Sequence, residues 1–235
     1  MKIYALIPAR SGSKGLKDKN IKLINERALI DYSISFAKRL SSVDRVFCST
    51  DSQHYADIAI DCGAEVPFLR SADAAADKAM EQHILHDLRE KFRSAGIEEP
   101  DLIVWLRPTF VFRSVVDVEE CVQALIDDNT LSAARTVVEA ENRLYSVDEG
   151  KLYPNFQDMG KSMMRRQDMK NSFKVFSTDV FRFKGNPFRD DFLGARIKPV
   201  ITNSICGMDI DTKFDFELVK LLIENSKESI NEYLS

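Results

Sequence analysis

The residues best suited to chemistry stand in a glycine- and cation-rich loop near the start of the chain. The loop follows the apolar run Ile3 to Ile7 and reads Ala9-Arg10-Ser11-Gly12-Ser13-Lys14-Gly15-Leu16-Lys17-Asp18-Lys19-Asn20. Glycine lets backbone N–H groups approach an anion closely, and the loop cations can neutralise several phosphate charges. Because the apolar run is typical of a buried parallel strand, the loop stands where open α/β sheets bind their ligands. It therefore predicts a triphosphate site.

The loop differs from the two most familiar phosphate-binding patterns. It lacks the Gly-Lys-Ser/Thr ending of a Walker loop and the G-x-G-x-x-G of a dinucleotide fold. The alternative interpretation is a solvated basic turn that binds no ligand, since short motifs also occur by chance.

A second candidate is the pair of carboxylates in Asp209-Ile210-Asp211, which we expect at the end of an apolar strand and just before a helix. Residues i and i+2 of an extended chain face the same side, so both carboxylates can converge on one hard cation such as Mg²⁺. Alternatively, Asp211 only caps the next helix and Asp209 is exposed. A triphosphate loop combined with a metal site suits nucleotidyl transfer, in which a nucleophile attacks the α-phosphorus and pyrophosphate leaves.

Strand-like and helix-like segments alternate along the first half of the chain. Hydrophobic spacing predicts helices over residues 28–40, 53–62, 78–92 and 115–126, and strands over 45–49, 64–69 and 102–106. Further strands are predicted at 133–138, 173–183 and 197–202, and a last helix at 213–224. This order predicts a three-layer α/β/α Rossmann-like fold with a mostly parallel sheet, forming one domain over residues 1–235.

Residues 139–170 are polar and irregular, and they interrupt this alternation. Such a long segment without periodicity is unusual inside a compact domain. We therefore expect a small excursion that packs against a second subunit.

Composition limits the classes of partner. The chain has 235 residues, 44% hydrophobic and 30% charged, with a formal net charge of −4. The net charge argues against general binding of nucleic acid or anionic membranes. The four cysteines show no C-x-x-C spacing, and no apolar run resembles a signal peptide or a membrane span. We expect a cytoplasmic enzyme with reduced thiols and no membrane partner.

The loop residues 7–15, continuing to Lys19-Asn20, closely resemble the signature of the acylneuraminate cytidylyltransferase family, which includes the CMP-sialic acid synthetases. The resemblance extends, in family order, through Ser49-Thr50-Asp51, Phe68-Leu69-Arg70 with Asp77, Arg107-Pro108-Thr109 with Arg113, Arg166-Gln167-Asp168, and Asp209-Ile210-Asp211-Thr212 with Asp215. These motifs span nearly the whole chain.

The resemblance implies transfer of CMP from CTP to a nonulosonic, sialic-acid-like 2-keto-3-deoxy sugar acid by a homodimer that uses Mg²⁺. It implies catalytic roles for Arg10, Lys19 and Asp211, with Asp211 helping to activate the anomeric hydroxyl, and metal binding by Asp209 and Asp211. Nucleotide contacts are implied for Arg10, Ser11, Gly12, Ser13, Lys14, Lys19, Asn20 and Arg70. Acceptor contacts are implied for Arg107, Thr109, Arg165, Arg166 and Gln167.

Two departures from the family pattern fall on the acceptor side. Arg107 stands where the family commonly has glutamine, and this extra cation either favours a further anionic group or pairs with an acidic neighbour. After the Arg-Gln-Asp stretch the family tends to have Asn-Gly, whereas the corresponding region here reads Val175-Phe176-Ser177-Thr178. Two alternatives therefore stay open: a nucleotidyltransferase for a different acceptor or nucleotide, and a non-catalytic nucleotide-binding homologue.

Overall fold

The computed structural model describes residues 1–13, 15–161, 163–225 and 230–234. The strands in these ranges are β1 Ile3–Pro8, β2 Leu23–Ile24, β3 Arg27–Ala28, β4 Arg45–Ser49, β5 Leu102–Leu106, β6 Ala133–Ala140, β7 Tyr145–Asp148, β8 Lys151–Pro154, β9 Ser172–Lys174, β10 Thr178–Arg182 and β11 Ile197–Ile201. The α-helices are α1 Leu29–Arg39, α2 Gln53–Asp61, α3 Ala72–Ala75, α4 Glu81–Ser94, α5 Val115–Asp127 and α6 Lys213–Asn225. None of these helices is long and apolar enough to cross a membrane.

The central sheet is mostly parallel, which confirms the predicted fold class. Its strand order is β11-β6-β10-β5-β1-β4, and β9 pairs with the end of β6. Strand β1 runs parallel to both β4 and β5, and β11 runs parallel to β6. Strand β10 is antiparallel to both β5 and β6, and its first residue, Thr178, lies opposite Leu106 at the carboxyl end of β5.

Alternate residues of β1 face the two sides of the sheet, and helices cover both sides. Ile3 and Ile7 belong to a core shared with residues of α1, α2 and α5. Tyr4 and Leu6 belong to a second core, with Leu85, Leu88 and Phe92 of α4. This arrangement is the predicted three-layer packing, with α6 in a third apolar cluster beside it.

Two predicted strands differ from those observed. The strand predicted over residues 64–69 was wrong, because only Glu65 forms a bridge, with Phe47 of β4. The strand predicted over residues 173–183 is interrupted between β9 and β10 by Phe176, whose φ of 90° is incompatible with a strand. The sequence alone gives no sign of this conformation, because phenylalanine favours strands.

The irregular segment is an excursion between β6 and β9 that contains the hairpin β7–β8. Glu149 and Gly150 connect its strands with φ values of 47° and 74°, as in a type I′ turn. Large apolar side chains stay exposed along it: Leu144, Tyr145, Val147, Leu152, Tyr153, Met159 and Met163. Within the described residues of one chain, nothing covers these side chains. Because a single hairpin is at best marginally stable in water, we expect the excursion to need a covering partner.

Candidate active site

A cleft of about 570 Å³ opens at the carboxyl ends of β1 and β5. It is lined by Pro8, Arg10, Ser13, Gly15, Lys19, Asn20, Arg70, Ala74, Ala76, Asp77, Ala79, Met80, Glu81, Ile84, Trp105, Arg107, Pro108, Thr109 and Asp211. The volume is in the usual range for a small-molecule site. Eight of the residues predicted to bind nucleotide, acceptor or metal line it: Arg10, Ser13, Lys19, Asn20, Arg70, Arg107, Thr109 and Asp211.

The loop after β1 is anchored at both ends. Ser11 donates its backbone N–H and its hydroxyl to the two carboxylate oxygens of Asp51, at 2.8 and 2.6 Å. Burial opposes ionisation of Asp51, but the hydrogen bonds to its carboxylate and the charge of Arg70 together outweigh this effect and hold the pKa of Asp51 below its ordinary value. Asn20 is buried and donates its side-chain N–H to the carbonyl oxygen of Arg10 at 3.1 Å. The predicted ligands Ser11 and Asn20 therefore also shape the loop.

The cations of the cleft differ in how they are held. Arg10 lies near the loop after α3, with Nη1 3.3 Å from Oδ1 of Asp77, and about a third of its side chain is exposed. Arg70 is buried and donates to the hydroxyl and the carbonyl oxygen of Ser49. Burial lowers the pKa of Arg70, and the charge of Asp51 partly offsets that effect. Arg10 thus has room to meet a ligand, while Arg70 is a rigid source of positive charge.

The loop after β1 packs directly against the chain that carries the two predicted metal ligands. A Cβ added at Gly15 would lie 2.6 Å from the backbone carbonyl oxygen of Asp211, which is closer than real Cβ atoms approach. On the same side, Nζ of Lys19 lies 3.0 Å from Oδ1 of Asp211. The absence of a side chain at Gly15 therefore lets the phosphate loop and Asp211 form one wall of the cleft.

Asp209 and Asp211 do not follow a strand directly, so that part of the prediction was wrong. Strand β11 ends at Ile201, and a 3-10 turn, Ser204–Gly207, comes between. The predicted alternation of side chains along Asp209-Ile210-Asp211 is still consistent with the structure, because the Ile210 side chain is buried. The backbone N–H of Ile210 donates to the carbonyl oxygen of Thr109 at 3.1 Å. Burial raises the pKa of Asp209, and a hydrogen bond with Thr109 partly offsets this.

Asp211 does not cap the next helix, which answers the alternative left open by the sequence. The cap of α6 is made by Thr212 and Asp215: the Thr212 hydroxyl accepts from the Asp215 N–H, and the Asp215 carboxylate accepts from the Thr212 N–H at 2.7 Å. This reciprocal pair resembles a capping box. The carboxylate of Asp211 is 71% exposed and is directed towards Lys19 instead.

The donor set around Asp209 and Asp211 fits a hard cation. Oδ1 of Asp209 is buried and has no hydrogen-bond partner, so an oxygen ligand is available there. Within the described ranges, no group of three or more His, Cys, Asp or Glu side chains is arranged to hold a metal. Mg²⁺ is commonly held by one or two carboxylates, water and substrate phosphates, so two aspartates beside a phosphate loop match its needs.

Arg107 pairs with acidic neighbours, which was one of its two predicted behaviours. Its Nη1 lies 2.8 Å from Oδ2 of Asp179, and its Nη2 lies 3.3 Å from Oε1 of Glu81. The buried Arg113 donates to the carbonyl oxygen of Arg107 at 2.6 Å and fixes the backbone. The positive charge of Arg107 is thus largely balanced inside the protein.

The remaining predicted acceptor residues lie on the excursion, outside the cleft of their own chain. Arg165 pairs with Asp168 and Arg166 with Glu139, and both are exposed. Gln167 lies beside them in the 3-10 turn Arg166–Asp168 and is also exposed. Gly12 adopts a φ of 74° in the phosphate loop, whereas Lys14 lies outside the described residues.

Several cleft residues were not predicted from the sequence. Met80, Glu81 and Ile84 form the start of α4 and line the cleft. The sequence predicted a helix there but gave no sign that its first turn faces a ligand. Trp105 of β5 is buried, and it also contributes to the lining of the cleft.

Comparison with known proteins identifies the family. A family model described as cytidylyltransferase matches residues 4–173. CMP-N,N'-diacetyllegionaminic acid synthase of Legionella pneumophila is 31% identical over 235 residues, which cover 98% of this chain and 100% of that protein. Pseudaminic acid cytidylyltransferase of Campylobacter jejuni is 26% identical, covering 97% of this chain and 99% of that protein.

The fold has solved counterparts as well. A structure of CMP:2-keto-3-deoxy-manno-octonic acid synthetase complexed with CTP has a TM-score of 0.69 and 17% identity, covering 96% of this chain and 100% of that one. At this identity the likeness supports the three-layer fold alone. The family match and the full-length relatives, together with the cation-lined cleft, confirm the resemblance read from the motifs: the chain belongs to the cytidylyltransferase family.

Proposed function

We propose that this protein transfers CMP from CTP to a nonulosonic acid, a sialic-acid-like 2-keto-3-deoxy sugar acid, and releases pyrophosphate. The anomeric oxygen of the acid forms a bond to the α-phosphorus, and the bond from that phosphorus to the bridging oxygen of the pyrophosphate breaks. The observation that carries the proposal is a single cleft that joins Arg10, Lys19 and Arg70 to the carboxylate of Asp211. The names of the full-length relatives support the same reaction class.

The phosphate loop supplies positioning and charge. Arg10 and Lys19 offset the negative charge that collects on the phosphoryl oxygens and on the leaving pyrophosphate. Ser11, Gly12, Ser13 and Lys14 complete the cradle, and Asn20 keeps its backbone in place. Arg70 is buried and hydrogen-bonded to Ser49, so it adds a positive charge whose position stays fixed when pyrophosphate leaves.

Asp209 and Asp211 hold Mg²⁺ in this proposal. When bound, the cation offsets phosphate charge and makes the α-phosphorus easier to attack. Asp211 accepts the proton of the anomeric hydroxyl, and Lys19 orients its carboxylate through the contact at 3.0 Å. Thr109 orients Asp209 by a hydrogen bond and lines the acceptor side of the cleft.

We further propose that two copies of the chain form a homodimer through the excursion. Its exposed apolar side chains need a cover, and a second copy supplies one. Arg165, Arg166 and Gln167 lie outside their own cleft, so in the dimer they serve the cleft of the partner, where the two arginines meet the acceptor carboxylate. Analytical ultracentrifugation tests this: a monomer at micromolar concentration contradicts the dimer without touching the assignment of the nucleotide site.

The reaction is tested by pyrophosphate release from CTP and Mg²⁺ with a panel of sialic, legionaminic, pseudaminic and Kdo-type acids, followed by mass spectrometry of the products. We expect a CMP-sugar from at least one nonulosonic acid. Asp211→Asn and Arg10→Ala should each abolish turnover and leave the fold intact. The matched control is Glu217→Gln, since Glu217 is an exposed carboxylate on α6 and should be dispensable for activity.

The alternatives make different predictions in the same assay. A nucleotidyltransferase with another acceptor or nucleotide releases pyrophosphate only when the panel is extended to those compounds. A non-catalytic homologue binds CTP and releases no pyrophosphate with any acid. Full activity of Asp211→Asn contradicts the role given to that carboxylate, whichever acceptor is used.

A further inference from the structure

Phe176 has a strained backbone conformation and contacts Arg107, a residue that lines the cleft. Its φ is 90°, a positive value that is strained for a residue with a bulky side chain. The residue is also 51% exposed, so it recovers little of the cost of this strain by burial. Strained residues that persist in a folded protein are held by their surroundings and concentrate at functional sites.

Two arginines and one buried aspartate hold this residue. The guanidinium carbons of Arg107 and Arg135 lie 5.1 and 5.5 Å from the centre of the Phe176 ring. Nη1 of Arg107 also donates to the backbone oxygen of Phe176 at 2.9 Å. Asp179 is 2% exposed and accepts from Nη1 of Arg107 at 2.8 Å and from Nε of Arg135 at 2.7 Å. The strain is therefore maintained by a clamp of three side chains, in which two arginines share the carboxylate of Asp179.

The clamp joins Phe176 to the acceptor side of the cleft. Arg107 lines the cleft, together with Glu81, with which it also pairs. Arg107 donates to Asp179, Glu81 and the backbone oxygen of Phe176. Its N–H groups are therefore already used within the protein rather than left for an anionic group of the acceptor. Phe176 does not line the cleft itself, but its backbone oxygen and its half-exposed ring both contact Arg107, which does.

We propose that Phe176 determines acceptor specificity by packing against an apolar substituent of the sugar acid, the methyl of an N-acyl group, and that Arg107 and Arg135 are positioning residues for its ring. The inference rests on the proposed function and adds the substituent that the site selects. An aromatic ring offers an apolar surface, and contacts with aromatic rings contribute energy beyond simple area burial. A hydroxyl in place of the N-acyl group forfeits this contact.

The test compares two acceptors that differ only in that group: sialic acid, and its analogue with a hydroxyl in place of the acetamido group. For the wild type we expect kcat/KM to favour the acylated acid. Phe176→Ala and Phe176→Gly should each lower this preference about tenfold through the acceptor KM, with the KM for CTP unchanged. Phe176→Gly should also melt above the wild type, because glycine accepts φ of 90° without strain. Phe214→Ala is the matched control, since Phe214 is 74% exposed on α6 and should change neither ratio nor KM.

A purely structural role for Phe176 makes the opposite prediction. Phe176→Gly would then lower the melting temperature and leave the preference between the two acids intact, and that result overturns the inference. A change in sedimentation coefficient without a change in preference overturns it as well, since Phe176 would then be covered by a partner subunit. If the wild type transfers CMP to no nonulosonic acid, the proposed function and this inference both fail. If it does so with equal preference before and after substitution, only the inference fails.

Discussion

Gly15→Ala tests the contact between the loop after β1 and the backbone of Asp211 by adding a single methyl group. The backbone of Gly15 is outside the left-handed region, so alanine is conformationally acceptable there. The obstacle is the carbonyl oxygen of Asp211, which a Cβ would approach to 2.6 Å, about 0.8 Å less than ordinary van der Waals contact. That oxygen belongs to the backbone and cannot rotate away, so the loop and Asp211 must separate.

The size of the effect follows from that separation. The displacement is close to 1 Å and moves Asp211 relative to Lys19, now 3.0 Å away. Misplacement by about 1 Å can cost roughly 100-fold in rate, so we expect kcat/KM to fall between about 10- and 100-fold, or about 1.4 to 2.7 kcal/mol. Stability should change less: crowding costs about 1 to 3 kcal/mol, and replacing glycine returns about 0.4 to 1 kcal/mol through the unfolded state.

The assay is pyrophosphate release at varied CTP, with the melting temperature measured alongside. Gly96→Ala is the matched control, because Gly96 has a φ of 67° and open space around its Cβ position. It should lose stability through backbone strain, by about 1 kcal/mol, and keep full activity. If Gly15→Ala retains the wild-type kcat/KM, the loop and Asp211 do not have to be in contact for turnover, and the reasoning from this geometry is refuted.

Three further predictions follow from contacts outside the cleft centre. Thr212→Ala removes the cap of α6 and should destabilise the protein by about 1 kcal/mol in urea unfolding, whereas Thr130→Ala, at an exposed turn, should cost less. Arg113→Ala leaves the buried oxygens of Ser33 and Thr178 without their donor and should cost about 3 kcal/mol or more; a loss below about 1 kcal/mol contradicts the role of this buried arginine. The pKa of Asp51 is lowered in the folded state, so its contribution to stability is present above the ordinary value of 3.8 and is lost as pH falls below it. Asp51→Asn should therefore destabilise the protein at pH 7 and differ less from the wild type at pH 3, and an equal difference at both pH values contradicts this assignment.

The fold could be predicted because its signals are local. The continuous apolar runs of β1 and β5 and the helical spacing of apolar residues in α1 and α5 each indicate the type of element within about a dozen residues. The strand predicted at residues 64–69 failed because only Glu65 finds a pairing position beside β4, which no local pattern reveals. The sequence also gave no sign that β10 runs antiparallel to its neighbours, since strand direction depends on the path of the intervening chain.

The candidate site, like the fold, could be predicted where the signal is local and could not where it depends on contacts distant in sequence. The loop after β1 and Asp209-Ile210-Asp211 could be chosen as candidates from residue chemistry, and the structure brings both segments to one cleft. The partners of Arg107 could not, since Glu81 is 26 and Asp179 is 72 residues away along the chain. The left-handed backbone conformation of Phe176 could not be predicted either, because contacts distant in sequence impose it and local propensity does not reflect such contacts.

The antiparallel direction of β10 has a consequence for how this enzyme class can change. The excursion leaves the sheet from the end of β6 and returns through β9 into β10, and both of these strands pair with β6. Insertions or deletions in the excursion would therefore leave the register of the sheet unchanged. They would also leave the loop after β1 unchanged, because β1 is separated from β10 by β5. In the proposed function the excursion serves the acceptor, so substrate range can change there while the nucleotide site stays the same.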